Sequence, residues 1–591
     1  MSLDQLTNII ARGSECKAFY GGHNWPSDEA WRKFNDTLQG ALLKPAPLAS
    51  VCYGDTEYGN ASGSKCKSLS ASWSSSLERA GDPIEVNSLL FEGLTCIPPI
   101  SLHTKGCRQG GYPRYVVKVT GDSQVQTAIN FARQNNVRVV IKNTGHDFSG
   151  KSLGASALSI WTHHLKDITY VPNYATDGYS GPAFNVGAGV QAKEIYKAAF
   201  DQGMMVVGGI CDSVGLYGGY SQGGGHSMLS SIRGMGADQI LSIQLVTANG
   251  NLVTASATEN TDLFWAIRGG GGSTYGVVTS MVVKAFPDIG AAVGTFEWSV
   301  KGNNISEDTF WKGVSSYFSY FKNFTDEGTA AQWFIYPKGD LASITKPDGQ
   351  PRFQLFPFFA PGKTIAQTES LTASWLTEMT TLGINITTNW AYFDSYYNAY
   401  YSVFSSSAFG HMPYTIAYGS RLVPQENFDK SAKLNATVAA YRAMSEAGHM
   451  FNGYQYSPTL KAGAPVGPDG NAIHPAWRNA LSHTIAFVQW PDNATIKQQK
   501  QIRSDFAIYG MKPLRDVTSG AGSYMNEADR LEPDFQQSFY GDNYARLLQI
   551  KQKYDPEDVF WAATAVGSEG WAVESIDGLP TENGPLCRVT N

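Results

Sequence analysis

The order of apolar and polar positions after residue 112 predicts a strand, a helix and a second strand in succession. Tyr115-Val-Val-Lys-Val is short, apolar and rich in β-branched residues, which is typical of a buried strand. Residues 122–135 place apolar side chains at helical spacing on one face, and 137–142 return to a strand pattern. His146 follows the end of that strand, where open α/β layers bind ligands.

A second unit with the same order of elements follows. The pattern predicts a strand at 183–189, an amphipathic helix at 191–202 and a strand at 204–208. Cys211 stands just beyond that last strand. Two successive αβ units are therefore expected to place one reactive side chain each near a strand end.

Glycine-rich turns follow both strand ends, at 143–150 and 208–225. Glycine loses more conformational entropy on folding than other residues, so it is typical of sites that need positive φ or close approach of the backbone to a ligand. A glycine-rich surface loop is the plain alternative. The recurrence of the arrangement beside His146 and Cys211 favours a cradle for a large ligand.

Two further glycine motifs resemble nucleotide-binding sequences but lack the residues that would complete them. Gly187-Ala-Gly-Val-Gln-Ala fits the dinucleotide pattern, yet the next strand at 204–208 offers no acidic residue at its end. Gly269-Gly-Gly-Gly-Ser-Thr-Tyr-Gly lacks the Gly-Lys-Ser/Thr ending of a phosphate loop. We interpret the second motif as a nest of backbone N–H groups that faces an anion or a ring.

The rest of the chain predicts a second domain and a terminal helix. Residues 242–254 read as a hairpin with an Asn-Gly turn. From about 290 to 530, apolar runs such as Gln354-Leu-Phe-Pro-Phe-Phe alternate with long polar segments, which indicates a domain that holds substrate. The aromatic tract 390–401 is expected to supply a packed helix face or apolar layer. Residues 543–556 show an amphipathic pattern ended by proline, which predicts a helix.

Composition narrows the class of protein. The 591 residues are 42% hydrophobic and 16% charged, which is typical of a folded protein with two or more domains. The net charge of −6 argues against nucleic acid as a partner, because that partner requires a concentrated positive surface. No apolar run approaches the roughly 18 residues that cross a bilayer, so no membrane partner is expected.

Cysteines and glycosylation sequons indicate a secreted protein. Five of the seven cysteines fall within the first 107 residues, so we expect three disulfides, of undetermined pairing, and one odd cysteine. Cys211 is the outlier in sequence. The start Met-Ser-Leu-Asp-Gln lacks the apolar segment of a signal peptide, so a removed leader is expected. Sequons stand at Asn35, Asn60, Asn304, Asn323, Asn385, Asn435 and Asn493.

With these residues placed, the chain resembles the berberine bridge enzyme-like branch of the vanillyl alcohol oxidase family of PCMH-type FAD-linked oxidases, in a secreted, fungal form. Asn143-Thr-Gly-His-Asp stands where the family carries its flavin-linking histidine. Gly209-Ile-Cys-Asp-Ser-Val-Gly stands where the bicovalent branch carries its flavin-linking cysteine. Further family signatures are Gly236-Ala-Asp-Gln-Ile-Leu, Asp262-Leu-Phe-Trp-Ala-Ile-Arg, Tyr275-Gly-Val-Val-Thr, Tyr540-Gly-Asp-Asn-Tyr-Ala-Arg-Leu and Lys553-Tyr-Asp-Pro.

The resemblance implies an α+β fold in which a PCMH-type FAD-binding domain of two α/β subdomains occupies 112–290. A substrate domain with an antiparallel sheet covered by helices is implied for 291–530. The cysteine-rich region 1–111 would pack on the FAD domain, and 531–591 would return to it. The resemblance is strongest over 112–290 and 520–570 and weak before residue 110.

The resemblance also implies FAD attached twice, through His146 to the 8α carbon and through Cys211 to C6 of the isoalloxazine ring. A neutral imidazole and a thiolate are the nucleophilic forms that make such bonds. No resident metal is implied. The other expected cofactor-binding positions are Asn143, Thr144, Gly145, Asp147, Phe148, Ser149, Gly150, Gly209, Val214, Gly215, Gly218, Ser221, Gly223, Gly272, Gly276, Val277, Val278, Asn543 and Tyr544.

The expected catalytic centre departs from the family pattern at two positions. Relatives that oxidise alcohols carry a Tyr-x-Asn-Tyr element whose second tyrosine abstracts a proton. The matching stretch here is Tyr524-Met-Asn-Glu, so Glu527, Tyr524 or another tyrosine is the candidate base, and Asn526 accompanies them. Glu527 as a structural residue is the plain alternative. Gly219 stands where relatives place a ring-facing histidine, and Tyr217 is expected to fill part of that space.

These observations lead us to expect a secreted, monomeric, FAD-dependent oxidase. Its substrate would be an alcohol group of an oligosaccharide or a small molecule, with hydride transfer to flavin N5 and reduction of O2 to H2O2. An oxidative cyclase or dehydrogenase of specialised metabolism is the alternative enzyme. A protein that binds flavin without turnover is the alternative of another class.

Overall fold

The structure is a computed structural model of the chain. It describes residues 16–54, 56–73, 75–99, 106–339, 349–404, 415–429, 432–459, 470–576 and 578–589. The N-terminal stretch used to argue for a removed leader lies outside the described residues.

The first predicted αβ unit forms a parallel sheet. Tyr115–Lys118, Leu158–Trp161 and Val139–Lys142 are parallel neighbours, and Leu42–Leu43 adds an antiparallel edge. The helix Asp122–Gln134 buries its predicted apolar face in the same hydrophobic cluster as these strands. His146 therefore follows the carboxyl end of the strand Val139–Lys142, as expected, and that strand lies at the edge of the sheet.

The second predicted unit forms its elements but not a parallel sheet. The helix Ala192–Phe200 is present, yet the strand predicted at 204–208 shrinks to Met204–Met205 and pairs with Phe286–Pro287. Apolar periodicity predicts that a run is buried but not which strand it pairs with. The strand predicted at 183–189 instead joins an antiparallel sheet with the order Ile168–Thr176, Tyr179–Gly187, Val277–Lys284, Ile240–Val246 and Leu252–Ser256.

A seven-stranded antiparallel sheet dominates the region 291–489. Successive side chains of a strand point to opposite faces, so each strand serves two environments. One face packs under helices in a core that includes Trp333, Phe451 and Ala486. The strands have the order Asn389–Phe393, Ala291–Ser299, Arg352–Pro361, Ala330–Tyr336, Met450–Gln455, Ala480–Gln489 and Ile416–Pro424.

Helices cover the sheets, and the predicted aromatic tract divides between a strand and a helix, Asn389–Phe393 and Tyr396–Phe404. The C-terminal helix Tyr544–Tyr554 forms as predicted. The other α-helices are Asp28–Thr37, Gly63–Ser72, Ser76–Gly81, Ser230–Arg233, Thr261–Ile267, Glu307–Ser319, Phe321–Asp326, Ile365–Thr381, Ala432–Glu446, Ile496–Asp505, Lys512–Val517 and Phe535–Tyr540.

Three disulfides confirm the expected cysteine chemistry. The pairs are Cys52–Cys66, Cys96–Cys107 and Cys16–Cys587, and the last joins positions 571 residues apart. Cys211 is the free cysteine, as predicted. A short terminal sheet, Trp571–Val573 with Leu586–Arg588, includes Cys587.

The C-terminal helix contacts the helix Thr261–Ile267: Lys553 Nζ lies 2.6 Å from Asp262 Oδ2, and Tyr554 OH donates to Asp262 Oδ1 over 2.9 Å. The architecture is the mixed α+β fold with helix-covered antiparallel sheets that we expected. Among the described helices, none is long and apolar enough to cross a membrane.

Candidate active site

A cavity of about 540 Å³ lies between the glycine-rich loops and the seven-stranded sheet. Its first wall comes from the loop after Val139–Lys142, which carries His146, and from the loop that carries Cys211. Its second wall is the face of the large sheet opposite the helices. Alternation along those strands turns these side chains to the cavity: Phe334, Tyr336, Met450, Asn452, Tyr454, Ile485 and Phe487.

His146 and Cys211 meet at the first wall. Cys211 Sγ lies 4.0 Å from His146 Nε2. Ser213 is fully buried beside both, with its Oγ 2.6 Å from His146 Nε2 and 3.5 Å from Cys211 Sγ. Asn87 Nδ2 lies 2.9 Å from His146 Nδ1. Both ring nitrogens of His146 are therefore held by polar neighbours, which fixes the plane of the imidazole.

Burial sets the protonation states of this pair. Burial, with a smaller effect of Lys142, lowers the pKa of His146 to about 4, so its imidazole is neutral near neutral pH. Burial raises the pKa of the Cys211 thiol, while the hydrogen bond from Ser213 acts in the opposite direction. The histidine is therefore a ready nucleophile, whereas the cysteine must first lose a proton.

Asn143 organises the glycine-rich wall. Its Nδ2 donates to Thr162 Oγ1 over 2.9 Å and to the Ala188 carbonyl over 2.7 Å. A Cβ on Gly215 or Gly218 would lie 1.8 Å or 2.1 Å from the Asn143 amide, so glycine is required at both positions for packing. A Cβ on Gly219 would meet nothing within 4 Å, so this glycine leaves open space in the cavity.

Glu527 enters the cavity beside two buried histidines. His483 Nε2 lies 2.7 Å from Glu527 Oε2, and His226 Nε2 lies 3.1 Å from Oε1. Burial alone would raise the pKa of the Glu527 carboxyl, but His226 and His483 outweigh burial and hold the pKa well below its usual range. Burial in turn lowers the pKa of His483, partly opposed by Glu527. Glu527 is therefore an anion at neutral pH.

Tyr524 and Asn526 form a second contact at the cavity. Asn526 Nδ2 donates to Tyr524 OH over 2.9 Å. Burial, reinforced by the charge of Glu527, raises the pKa of Tyr524 well above its usual range, so its phenol stays protonated. A Cβ on Gly223 would lie 2.4 Å from the Asn526 amide, which explains that glycine by packing.

Most of the predicted site residues line the cavity. Their contact with a cofactor or substrate stays a prediction. These residues are Asn143, Thr144, Gly145, His146, Asp147, Phe148, Cys211, Val214, Gly215, Gly218, Gly272, Gly276, Val278, Tyr524, Asn526 and Glu527.

Other predicted positions lie behind the cavity and support its loops. Asn543 Nδ2 donates to the carbonyls of Ala472 and Ile473, and a Cβ on Gly150 would lie 2.7 Å from Phe91 Cβ. Tyr217 is buried and does not line the cavity, whereas Gly219 does, so the expectation that Tyr217 fills part of that space stays a prediction. The remaining predicted positions outside the lining are Ser149, Gly209, Ser221, Gly223, Val277 and Tyr544.

The predicted N–H nest at 269–276 is only partly available to a ligand. The amides of Gly269 and Gly271 donate to the Gln222 carbonyl over 3.0 Å and 2.9 Å. Gly272, Ser273 and Gly276 face the cavity. The two glycines of the dinucleotide-like motif serve packing: a Cβ on Gly187 or Gly189 would lie 2.3 Å from a backbone carbonyl oxygen.

Sequence reasoning missed four polar side chains of the site, Asn87, Ser213, His226 and His483. His226 directly follows the glycine run and was open to detection from that position. Asn87 and His483 reach the site from 59 and 44 positions away, and their local sequence carries no functional pattern.

The residues present fit FAD. A neutral histidine and a cysteine stand together, and open glycine surface adjoins them. Asn143 Oδ1 is buried and has no hydrogen-bond partner within the described parts of the chain, so it offers an acceptor toward a bound group.

Comparison with known proteins agrees with this fit. The family model for the FAD binding domain matches residues 113–256, and the berberine and berberine-like model matches 523–567. The VAO-type flavoprotein oxidase VAO615 of Thermothelomyces thermophilus is 36% identical over 589 residues, covering 99% of this chain and 97% of the relative. The FAD-linked oxidoreductase patO of Aspergillus clavatus is 38% identical, covering 97% and 94%. The bifunctional decalin synthase calF of Penicillium decumbens is 36% identical, covering 98% and 96%.

Solved structures share the fold. The VAO-type flavoprotein MtVAO615 from Myceliophthora thermophila C1 superposes with a TM-score of 0.86 at 34% identity, covering 97% of this chain and 100% of that one. Berberine bridge enzyme from Eschscholzia californica superposes with a TM-score of 0.64 at 14% identity, covering 90% and 98%, which supports the fold alone. The chain belongs to the VAO-type, berberine bridge enzyme-like family of FAD-linked oxidoreductases.

Proposed function

We propose that this protein is an oxidase whose FAD is attached twice, through His146 to the 8α carbon and through Cys211 to C6. The observation that carries the proposal is the 4.0 Å separation of His146 Nε2 and Cys211 Sγ at one wall of a cavity large enough for a flat cofactor and a substrate. The neutral imidazole supports the first bond. The hydroxyl of Ser213 supports the second bond, because it stabilises the thiolate that must form.

The substrate would be an alcohol, either a carbohydrate or a smaller molecule. Bound FAD supplies a hydride acceptor and passes the electrons to O2, which yields H2O2. The chain's own part is to hold the substrate against the aromatic face of the large sheet and to place its hydroxyl group in the cavity. Glu527 is the ionised group at the cavity, whereas Tyr524 is held protonated.

Exposed glycosylation sequons and disulfides support the proposal that the protein is secreted. The sequon residues Asn60, Asn304, Asn323, Asn385, Asn435 and Asn493 are exposed, so glycans would meet no steric obstacle there. The three disulfides are typical of an oxidising compartment. We propose secretion on these grounds, and the monomeric state stays a prediction.

A covalent-flavin test decides the attachment. Wild type, His146→Ala and Cys211→Ala are precipitated with acid, and the pellets are examined by visible spectrum and intact mass. Two tethers predict a yellow wild-type pellet with the mass of protein plus FAD, and retained flavin in each single variant. A colourless wild-type pellet contradicts covalent attachment. If His146→Ala loses its flavin and Cys211→Ala retains it, then FAD is attached through His146 only.

A second function is favoured by the relatives. The decalin synthase calF is named for a ring-forming reaction, and its 36% identity extends over 98% of this chain. An oxidative cyclase of specialised metabolism is therefore the rival. A panel of alcohols and sugars with peroxide detection separates the two, because an alcohol oxidase releases H2O2 and an aldehyde or ketone with these substrates.

A further inference from the structure

Glu527, His226 and His483 form a buried cluster that flavin attachment does not use. His226 is 4% exposed and His483 is fully buried, whereas Glu527 reaches the cavity with 22% of its side chain exposed. Within the described residues, no lysine or arginine forms an ion pair with Glu527. The cluster therefore presents one carboxylate to the cavity and keeps two imidazoles behind it.

The proton of His483 can be located from its surroundings. His483 Nδ1 is buried and has no hydrogen-bond partner in the described part of the chain. A buried N–H without an acceptor is costly, so the proton resides on Nε2 and is donated to Glu527 Oε2.

That tautomer argues against a resident metal, although the three ligand atoms lie within 4.8 Å of one another. A metal would require an unprotonated Nε2 and would leave an N–H on Nδ1. Histidines that bind metals donate that second N–H to an acceptor, and His483 has none among the described residues. The histidines are therefore hydrogen-bond donors to a fixed carboxylate.

A carboxylate held in this way is a weak proton acceptor, because an effective general base has a pKa near the working pH. The carboxylate is instead a strong hydrogen-bond acceptor for a cationic group, because a buried charge is stabilised by a partner of opposite sign. The surrounding walls are aromatic. Tyr454 and Tyr524 lie 4.8 Å and 5.4 Å from the His226 ring, and Tyr336 and Phe487 line the same cavity. Aromatic faces also attract cations.

We propose that Glu527, kept ionised and in place by His226 and His483, binds a protonated amine of the substrate. The proposal rests on the proposed function, because it takes this cavity as the substrate site. It narrows the substrate class to alcohols or amines that carry a cationic nitrogen. His226 and His483 act as positioning residues through the carboxylate.

Matched probes test the preference without turnover. Benzylamine, protonated at neutral pH, and benzyl alcohol have similar shape, and calorimetry measures their binding to the purified holoprotein. We expect benzylamine to bind about tenfold more tightly, as for a hydrogen bond between charged groups. Glu527→Gln should abolish the preference by weakening the binding of benzylamine about tenfold. Equal binding of both probes to wild type overturns the proposal.

The histidines are tested by a pH readout. His483→Gln retains a donor and should keep the preference at about pH 5, whereas His483→Phe should lose it there and regain it at about pH 8, when Glu527 ionises unaided. Calorimetry with Zn²⁺ is the second arm: stoichiometric binding that Glu527→Gln abolishes overturns the proposal in favour of a metal site. The calorimetric comparison of benzylamine with benzyl alcohol does not depend on covalent attachment of FAD. The proposal on Glu527 and the proposal on flavin attachment can therefore be contradicted separately.

Discussion

His146 Nε2 and Cys211 Sγ lie 4.0 Å apart although 65 positions separate them in the sequence. Ser213 Oγ lies between the two side chains and donates to Ser76 Oγ over 3.0 Å. Ser213 is fully buried, so its hydrogen bonds compete little with water. Burial raises the pKa of the Cys211 thiol, and the hydrogen bond with Ser213 partly offsets that effect, so Ser213 favours ionisation of the thiol.

Ser213→Ala should slow formation of the cysteine bond to FAD and leave flavin attached through His146 alone. The reason is that loss of this hydrogen bond raises the pKa of the Cys211 thiol further and lowers the thiolate population. Peptide mapping of flavin-bearing fragments measures the doubly attached fraction. Ser76→Ala is the matched control, because it leaves the contacts of Ser213 with His146 and Cys211 in place. Equal doubly attached fractions in wild type and Ser213→Ala contradict this role.

Local pattern was sufficient for the elements that carry the site. The helix Asp122–Gln134, the strand before His146 and the helix Tyr544–Tyr554 follow from their apolar spacing. His146 and Cys211, which the family motifs singled out, both line the cavity. Such elements are set by nearby residues, which a single sequence displays. The odd cysteine also followed from counting, because three pairs leave one thiol.

Long-range pairing was not predictable from the sequence. Met204–Met205 pairs with Phe286–Pro287 instead of extending a parallel sheet, and His483 reaches Glu527 through the register of a seven-stranded sheet. The pairing partner and the register of a strand depend on chain segments that are far apart in the sequence. The alternation of apolar and polar residues along a strand predicts which face is buried but not which element packs against that face.

Two adjacent glycines offer a matched pair of substitutions. Gly219→Ala should change the free energy of unfolding by less than about 0.5 kcal/mol, because the added Cβ meets nothing within 4 Å. Gly218→Ala should cost roughly 1–3 kcal/mol and reduce flavin content, because its Cβ would lie 2.1 Å from the Asn143 amide, which two hydrogen bonds hold in place. Urea unfolding and the ratio of flavin to protein absorbance measure both effects. Similar losses from the two substitutions contradict the packing explanation.

The disulfide Cys16–Cys587 should stabilise the protein more than Cys52–Cys66. Chain entropy predicts about twice the constraint on the unfolded state for a loop of 571 residues compared with one of 14. Replacing each pair by alanine and measuring unfolding in urea tests the ranking. Flavin content is the control for local damage near the cavity. An equal loss of stability from both replacements contradicts the ranking.

Glu92 should make the protein less stable as pH rises. Its side chain is fully buried and accepts hydrogen bonds from Thr95, and burial raises its pKa to about 8. Between the unfolded pKa, near 4.5, and about pH 8, the folded state keeps a proton that the unfolded state releases. Its contribution to stability is therefore complete below that unfolded pKa and is lost as pH rises toward 8, by about 1.4 kcal/mol per pH unit.

Glu92→Gln keeps the shape and a donor but cannot titrate, so its free energy of unfolding should fall less than that of wild type between about pH 5 and pH 8. Urea unfolding at several pH values measures the two slopes. Thr95→Val is the matched control, because it removes the hydroxyl that donates to Glu92 while leaving the carboxyl able to titrate. It should retain the loss of stability with rising pH and extend that loss to higher pH, because the Thr95 hydroxyl lowers the pKa of Glu92. Parallel slopes for wild type and Glu92→Gln would mean that Glu92 is ionised in the folded protein and that its hydrogen bonds with Thr95 suffice to hold the charge.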